Sequence, residues 1–365
     1  MKFPSTVCLL LLLASRAALS AADFSARGPL VVQTIDFPHL ADATRSSSQA
    51  SGRLRLRLFR RLLRPDPTRT ERKVPIKVHL PKTAGPFPVV VLSHGAGGDW
   101  DTHYAQAQHL ASYGYVVLCL EHTGSNRERM TQGFRLMKNL EEMIHDADEV
   151  LARPKDVSFA IDRAEAWNQT HEKLRGKFDM QRVGVMGHSF GAFTTMVVCG
   201  MRPALEWLTP RVKPGKGLGP DLFDSRVKCG VALSPQGVGE PFFIHESFGS
   251  LKRPLLGISG TEDRQQNGLT AENRLQAFSL WPSGPHKFIW LTKAKHLDFT
   301  DSTGAGRRST PAPSREDVQP IVRAATLQFF NEHLKANMKA TKQLSVDALK
   351  PYLRGAVNKV EVLSK

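Results

Sequence analysis

The chain has 365 residues, 41% of them hydrophobic, and 50 Lys and Arg against 34 Asp and Glu give a formal net charge of +16. That length allows a large core within one domain. The positive excess comes without a recognised nucleic-acid-binding motif, which argues against nucleic acid as a partner, and no C-x-x-C or H-E-x-x-H spacing asks for a metal.

In chain order, Lys2, the apolar run Val7–Leu13 and the small residues around Ala18–Ala22 form the pattern of a secretory signal over residues 1–22. This predicts a secreted or periplasmic protein. The run is short for a bilayer span and Arg16 interrupts it, so a retained N-terminal anchor is the lesser alternative. Leu30–Phe37 follows as a first strand, and the small, Ser-rich stretch Ala41–Gly52 reads as a loop. Between Arg53 and Arg64 the chain is strongly basic. On a helix of about 100° per residue, Arg53, Arg57, Arg60, Arg61 and Arg64 share one arc and the leucines the other, with Arg55 misplaced. Such a helix suits an anionic membrane surface; an edge strand, or a solvated surface insertion, are the competing readings.

Val74–Leu80 alternates as an outer strand does. Pro88–Leu92 is a continuous apolar run, as expected of a parallel strand buried on both faces. Helix Thr102–Tyr113, strand Tyr115–Leu120, helix Val157–His171 and strand Arg182–Met186 come next. Strands Cys229–Leu233, Pro254–Ser259 and Lys287–Leu291 and a terminal amphipathic helix, Val318–Ala336, complete the pattern. Strands alternating with helices predict an α/β fold with a mostly parallel central sheet and helices on both faces. No internal repeat appears. The expected organisation is a signal (1–22), an N-terminal strand with the basic insertion (23–65), one main α/β domain (66–344) and a C-terminal extension (345–365). Beyond the signal the cysteines are Cys119, Cys199 and Cys229, an odd number in apolar segments; buried free thiols are expected, a Cys199–Cys229 bridge being the alternative.

The most informative string is Gly187-His188-Ser189-Phe190-Gly191, set between an apolar strand and the helical run Ala192–Val198. Strand, G-x-S-x-G and helix together form the context of a nucleophile elbow, in which serine occupies a strained turn and small neighbours let the backbones pass. A serine hydroxyl needs a histidine to take its proton and a carboxylate to orient that histidine. Of the late histidines, His286 precedes its strand and His333 lies on the terminal helix. His296 follows Lys287–Leu291 by the short loop Thr292–Lys295, at the carboxyl end where open α/β sheets bind ligands. The loop after Pro254–Ser259 offers Glu262 and Asp263, whose adjacent side chains diverge, so only one can face the imidazole. Asp298 is assigned to organising the loop around His296. The Phe190 N–H is one expected oxyanion donor, and the Ser93-His94-Gly95-Ala96-Gly97-Gly98 loop supplies the other through Ala96. His94 is expected to hold that loop. The loop lacks P-loop spacing. Trp100, Gln236–Phe243, Leu269–Trp281 and the surroundings of Phe299 are expected to line the pocket.

Phe87–Gly95, His109–Val117, Glu121–Asn126, Asp156–Phe159, Gly187–Gly191, Ser234–Gly237, Gly260–Arg264 and Ala294–Phe299 together resemble the platelet-activating-factor acetylhydrolase and predicted dienelactone-hydrolase-like branch of the α/β hydrolases. The resemblance covers roughly Asp66 to Leu334. It implies a serine esterase working without a cofactor, with Ser189, Asp263 and His296 at the matching positions. Dienelactone hydrolases proper use a cysteine nucleophile, so Ser189 points away from that named activity. The expected reaction is hydrolysis of a small-molecule or lipid carboxylic ester through an acyl-enzyme. Lipase, phospholipid acetylhydrolase or polyester hydrolase activity is the alternative, and a non-catalytic binding protein the competing class.

Overall fold

The computed structural model describes residues 23–46, 71–264, 268, 270–301, 313–335 and 344–365. The signal-like segment 1–22 and the basic segment carrying Arg53, Arg57, Arg60, Arg61 and Arg64 lie outside the described residues. Among those described, no helix is long and apolar enough to cross a membrane.

The elements are β1 (Val32–Phe37), β2 (Ala41–Ser46), β3 (Glu71–Lys73), β4 (Ile76–Pro81), β5 (Phe87–Ser93), α1 (Tyr104–Ser112), β6 (Val116–Leu120), α2 (Arg127–Thr131), α3 (Leu136–His145) and α4 (Ala147–Thr170). They continue with β7 (Phe178–His188), α5 (Phe190–Val198), β8 (Val227–Leu233), β9 (Leu255–Glu262), α6 (Ala271–Phe278), β10 (Lys287–Lys295), α7 (Pro313–Leu334), α8 (Val346–Leu349) and β11 (Val360–Ser364). One sheet runs β1-β4-β6-β5-β7-β8-β9-β10-β11. From β6 to β10 every pairing is parallel, and β4, β1 and β11 close the two edges antiparallel. The parallel strands are apolar without alternation because both faces are covered. On one face Val89, Val91 and Val185 pack with Val157, Ile161 and Phe193 of α4 and α5. On the other, Val90, Met186 and Val231 meet Leu110 of α1 and Ile321, Phe329 and Phe330 of α7. Gly184 permits that second contact, since a Cβ there would come within 2.9 Å of Phe330 and Leu334.

Several expectations are corrected. Ala41–Ser46 is a strand rather than a loop, paired antiparallel with β3; its polar sequence is held by partners, Asp42 accepting from Thr44 and Arg45, and not by an apolar face. The helix placed at Val157 begins ten residues earlier, at Ala147, with Asp146 capping it by accepting from the Asp148 N–H. Its first turns bury Glu149, Arg153 and Asp156 alongside the apolar Ala147, Val150 and Pro154. The segment Thr292–Lys295 continues β10 through a register shift, with Lys293 at φ 60°. The terminal helix starts before Val318, at Pro313. The stretch set apart as a C-terminal extension supplies β11, an edge strand of the main sheet. The cysteines, by contrast, are as expected: Cys119, Cys199 and Cys229 are free and buried, and the alternative Cys199–Cys229 bridge is not formed.

Candidate active site

The parallel strands end side by side, and each carboxyl end delivers one piece of the site: Ser93 from β5, Ser189 after β7, Ser234 after β8, Asp263 after β9 and His296 after β10. Ser189 sits at φ 54°, ψ −116°, one of three non-glycine residues with positive φ among those described. Such a conformation is costly for a residue with a Cβ. A Cβ on Gly187 would run into the Gly191 backbone, and one on Gly191 into the Ser93 carbonyl, so both glycines of the motif are required by contact. The turn presents Ser189 half-buried, directly before the first turn of α5.

Ser189 Oγ lies 3.0 Å from His296 Nε2, and His296 Nδ1 lies 2.8 Å from Asp263 Oδ1. The carboxylate can only accept, so Nδ1 carries the proton and Nε2 is left to accept from the serine. Asp263 is fully buried, while His296 keeps 23% of its side chain exposed. The other oxygen of Asp263 accepts from Ser234 Oγ at 2.5 Å and Ser259 Oγ at 2.7 Å. Burial pushes this carboxyl up, but the Arg274 guanidinium and the hydrogen bonds from His296 and Ser234 outweigh it and hold the group well below the usual carboxylate range. Glu262 points elsewhere, 3.8 Å from Lys295 Nζ and about half exposed. Asp298 accepts from the Lys295 N–H at 2.8 Å, in the loop-organising role expected of it. His286 accepts from the Leu255 N–H, and His333 packs on Phe329.

The loop expected to carry the second oxyanion donor is held from behind. His94 Nε2 accepts from the His122 N–H at 3.0 Å, which leaves Nδ1 to donate to the Gly95 carbonyl at 2.6 Å. In a trans peptide the N–H points opposite to the C=O. With Gly95 O turned to His94, the Ala96 N–H faces the other way. Gly95 backs onto the elbow, where a Cβ would lie 3.5 Å from the Ser189 Cβ. The Phe190 N–H, at the first position of α5, has no intrahelical acceptor and carries the positive end of the helix dipole.

Sequence reasoning placed Gln236 and Arg274 only in stretches expected to line the pocket and gave His188 no role, so it missed all three as supporting side chains. Arg274 of α6 donates to the carbonyls of Asp263, Ser234 and Pro235. Gln236 donates to the Ser189 carbonyl. His188, inside the motif, donates to the His296 carbonyl at 2.9 Å; burial, then the neighbouring His296 and His103, hold it neutral. Nothing in their spacing marks these residues, because each acts on an element distant in sequence. Several residues expected to line the pocket are packed into the core instead. Phe242 and Phe243 stack into a cluster with Phe190 and Phe193, Phe278 and Trp281 pack on Phe288, and Phe299 is buried. Leu269 lies outside the described residues.

The alpha/beta hydrolase family model matches residues 90–353. Over 261 residues the chain is 25% identical to a platelet-activating factor acetylhydrolase of Cavia porcellus, covering 64% of this chain and 53% of that protein. Over 250 residues it is 24% identical to the same-named protein of Canis lupus familiaris, covering 61% of this chain and 50% of that one. The chain thus spans about half the length of these curated relatives. A family match running through most of the sheet, from β5 past α7, agrees with the strand order and the strained turn after β7: the chain belongs to the alpha/beta hydrolase family.

Proposed function

We propose that this protein is a serine hydrolase of carboxylic esters, with Ser189 as nucleophile, His296 as general base and acid, and Asp263 as the orienting carboxylate. The observation that carries the reading is the Ser189–His296–Asp263 hydrogen-bond chain at the strained turn. His296 Nε2 takes the Ser189 proton as Oγ attacks the ester carbonyl, and the N–H groups of Phe190 and Ala96 hold the oxyanion. The tetrahedral intermediate collapses as His296 returns the proton to the departing alkoxide oxygen, releasing alcohol and leaving acyl-Ser189. Water, deprotonated by His296, then attacks the acyl carbon; collapse frees the carboxylic acid and restores Ser189. These residues complete both half-reactions without a cofactor.

The names of the relatives support a lipid or small-molecule ester as substrate. The reading includes export, on the strength of the N-terminal Lys2, Val7–Leu13 and Ala18–Ala22 pattern. The test is a panel of p-nitrophenyl and glycerophospholipid esters of graded acyl length, run with wild type and Ser189→Ala. Turnover in wild type and a loss of about 10⁵–10⁶ in kcat for the variant are expected, with the thermal midpoint nearly unchanged. Equal turnover in the two proteins overturns the reading.

A further inference from the structure

Arg153, in the second turn of α4, is fully buried, and among the described residues no carboxylate pairs with it. The nearby acids, Glu149 and Asp156, are engaged by Arg72 at 2.6 and 2.7 Å. The donors of Arg153 go to neutral acceptors: Nε to Thr194 Oγ1 at 3.1 Å, Nη1 to Ser125 Oγ at 2.8 Å, and Nη2 to Ser93 Oγ at 3.1 Å and to the His94 carbonyl. Its guanidinium carbon lies 4.3 Å from the centre of the Phe190 ring. Thr194 in turn donates to the Phe190 carbonyl at 2.9 Å.

One side chain therefore touches both arms of the oxyanion site. On one side it grips the strand end and loop that lead to Ala96; on the other it braces the first turn of α5, which begins with the Phe190 N–H. A buried cation without a direct counterion is expensive, and burial pulls the Arg153 guanidinium down to about 9 against the opposing pull of Glu149 and Asp156. Neutral donors would satisfy the same hydroxyls and carbonyl. What a neutral donor cannot supply is positive charge held against both segments that carry the expected oxyanion donors, and charge fixed before the reaction stabilises the transition state most effectively.

Resting on the ester-hydrolase reading, we infer that Arg153 is a positioning residue for ester cleavage, clamping the two oxyanion donors together and lending them its charge. The test compares the full-length wild type with Arg153→Met and Arg153→Lys on p-nitrophenyl acetate, together with inhibition by an aliphatic trifluoromethyl ketone. That ketone adds Ser189 Oγ to its carbonyl and presents a hemiketal oxyanion. Arg153→Met is expected to lower kcat by roughly 10²–10³ with little change in KM, the scale of losing one oxyanion donor. Ketone affinity should weaken by about the same factor as kcat/KM, and Arg153→Lys should recover about tenfold of both losses. A merely structural arginine would lower the thermal midpoint without linking ketone affinity to kcat. Unchanged kcat and ketone affinity in folded Arg153→Met overturn the inference; should that variant not fold, the same unchanged values in Arg153→Lys do so. A wild type that turns over no ester instead removes the hydrolase reading, and this inference with it.

Discussion

Ser189, His296 and Asp263 are joined by contacts of 3.0 and 2.8 Å; Ser93, His122 and Asp156 are joined by contacts of 2.9 and 2.8 Å, with the same imidazole nitrogens facing the same partners. By distance the two Ser–His–Asp chains are nearly interchangeable, and by surroundings they are opposites. Ser93, His122 and Asp156 are fully buried, and burial, followed by the charge of Arg153, pulls His122 down to about 3. Ser93 ends an ordinary strand, and its hydroxyl is occupied on both sides, receiving from Arg153 and giving to His122. Asp156 holds Arg72 and Arg45 as well as His122, tying β2 and β3 to α4. Ser189 sits instead on a strained, half-buried turn under a partly exposed histidine. Hydrogen-bond length does not make a reactive serine; exposure and backbone strain separate the chain we propose as reactive from the one that braces its loop.

The two carboxylates should respond most differently to the same substitution. Asp263→Asn is expected to cut kcat by about 10⁴ while the protein stays folded, because the imidazole loses its orienting partner. Asp156→Asn should act through the fold, costing about 3–5 kcal/mol by leaving buried Arg72 short of a counter-charge, with turnover per folded molecule far less affected. Urea melts and steady-state kinetics on both variants check this, and matching kinetic losses would erase the distinction.

The buried histidines should also make stability depend on pH. His122 is held neutral at about 3 and His103, also by burial, at about 4. The unfolded chain takes up these protons near pH 6.5 and the native protein does not, so stability is full above that value and falls as pH drops towards 4. Calorimetry from pH 8 to 4 should show the midpoint decline beginning near 6.5; a flat profile down to pH 4 contradicts the buried, neutral assignment. The smallest effect is expected of Glu262→Gln, which should leave kcat within about twofold, since this surface carboxylate pairs only loosely with Lys295.

The two chains also differ in how far the sequence reveals them. Ser189 is marked by its motif, and His296 and the Glu262–Asp263 pair by following apolar strands in the order the chemistry requires. Ser93, His122 and Asp156 lie in segments that resemble the family, yet their mutual contact joins β5, the end of β6 and α4, and no spacing encodes it. The same limit hid the start of α4, whose first turns bury charges that answer Arg72 from β3, and hid β2, which needs β3 to be a strand at all. Apolar runs such as Pro88–Leu92 and Cys229–Leu233 were legible because burial on both faces writes itself into consecutive residues. Arg153 and Arg274 were not legible, because a buried arginine and a surface arginine look alike until their partners are known.

Labelling of the intact protein with a fluorophosphonate, followed by mass mapping of the modified peptide in wild type, Ser189→Ala and Ser93→Ala, tells the two serines apart. One label on Ser189, lost in Ser189→Ala and kept in Ser93→Ala, is the predicted result. Labelling that persists in Ser189→Ala, or maps to Ser93, would contradict the account.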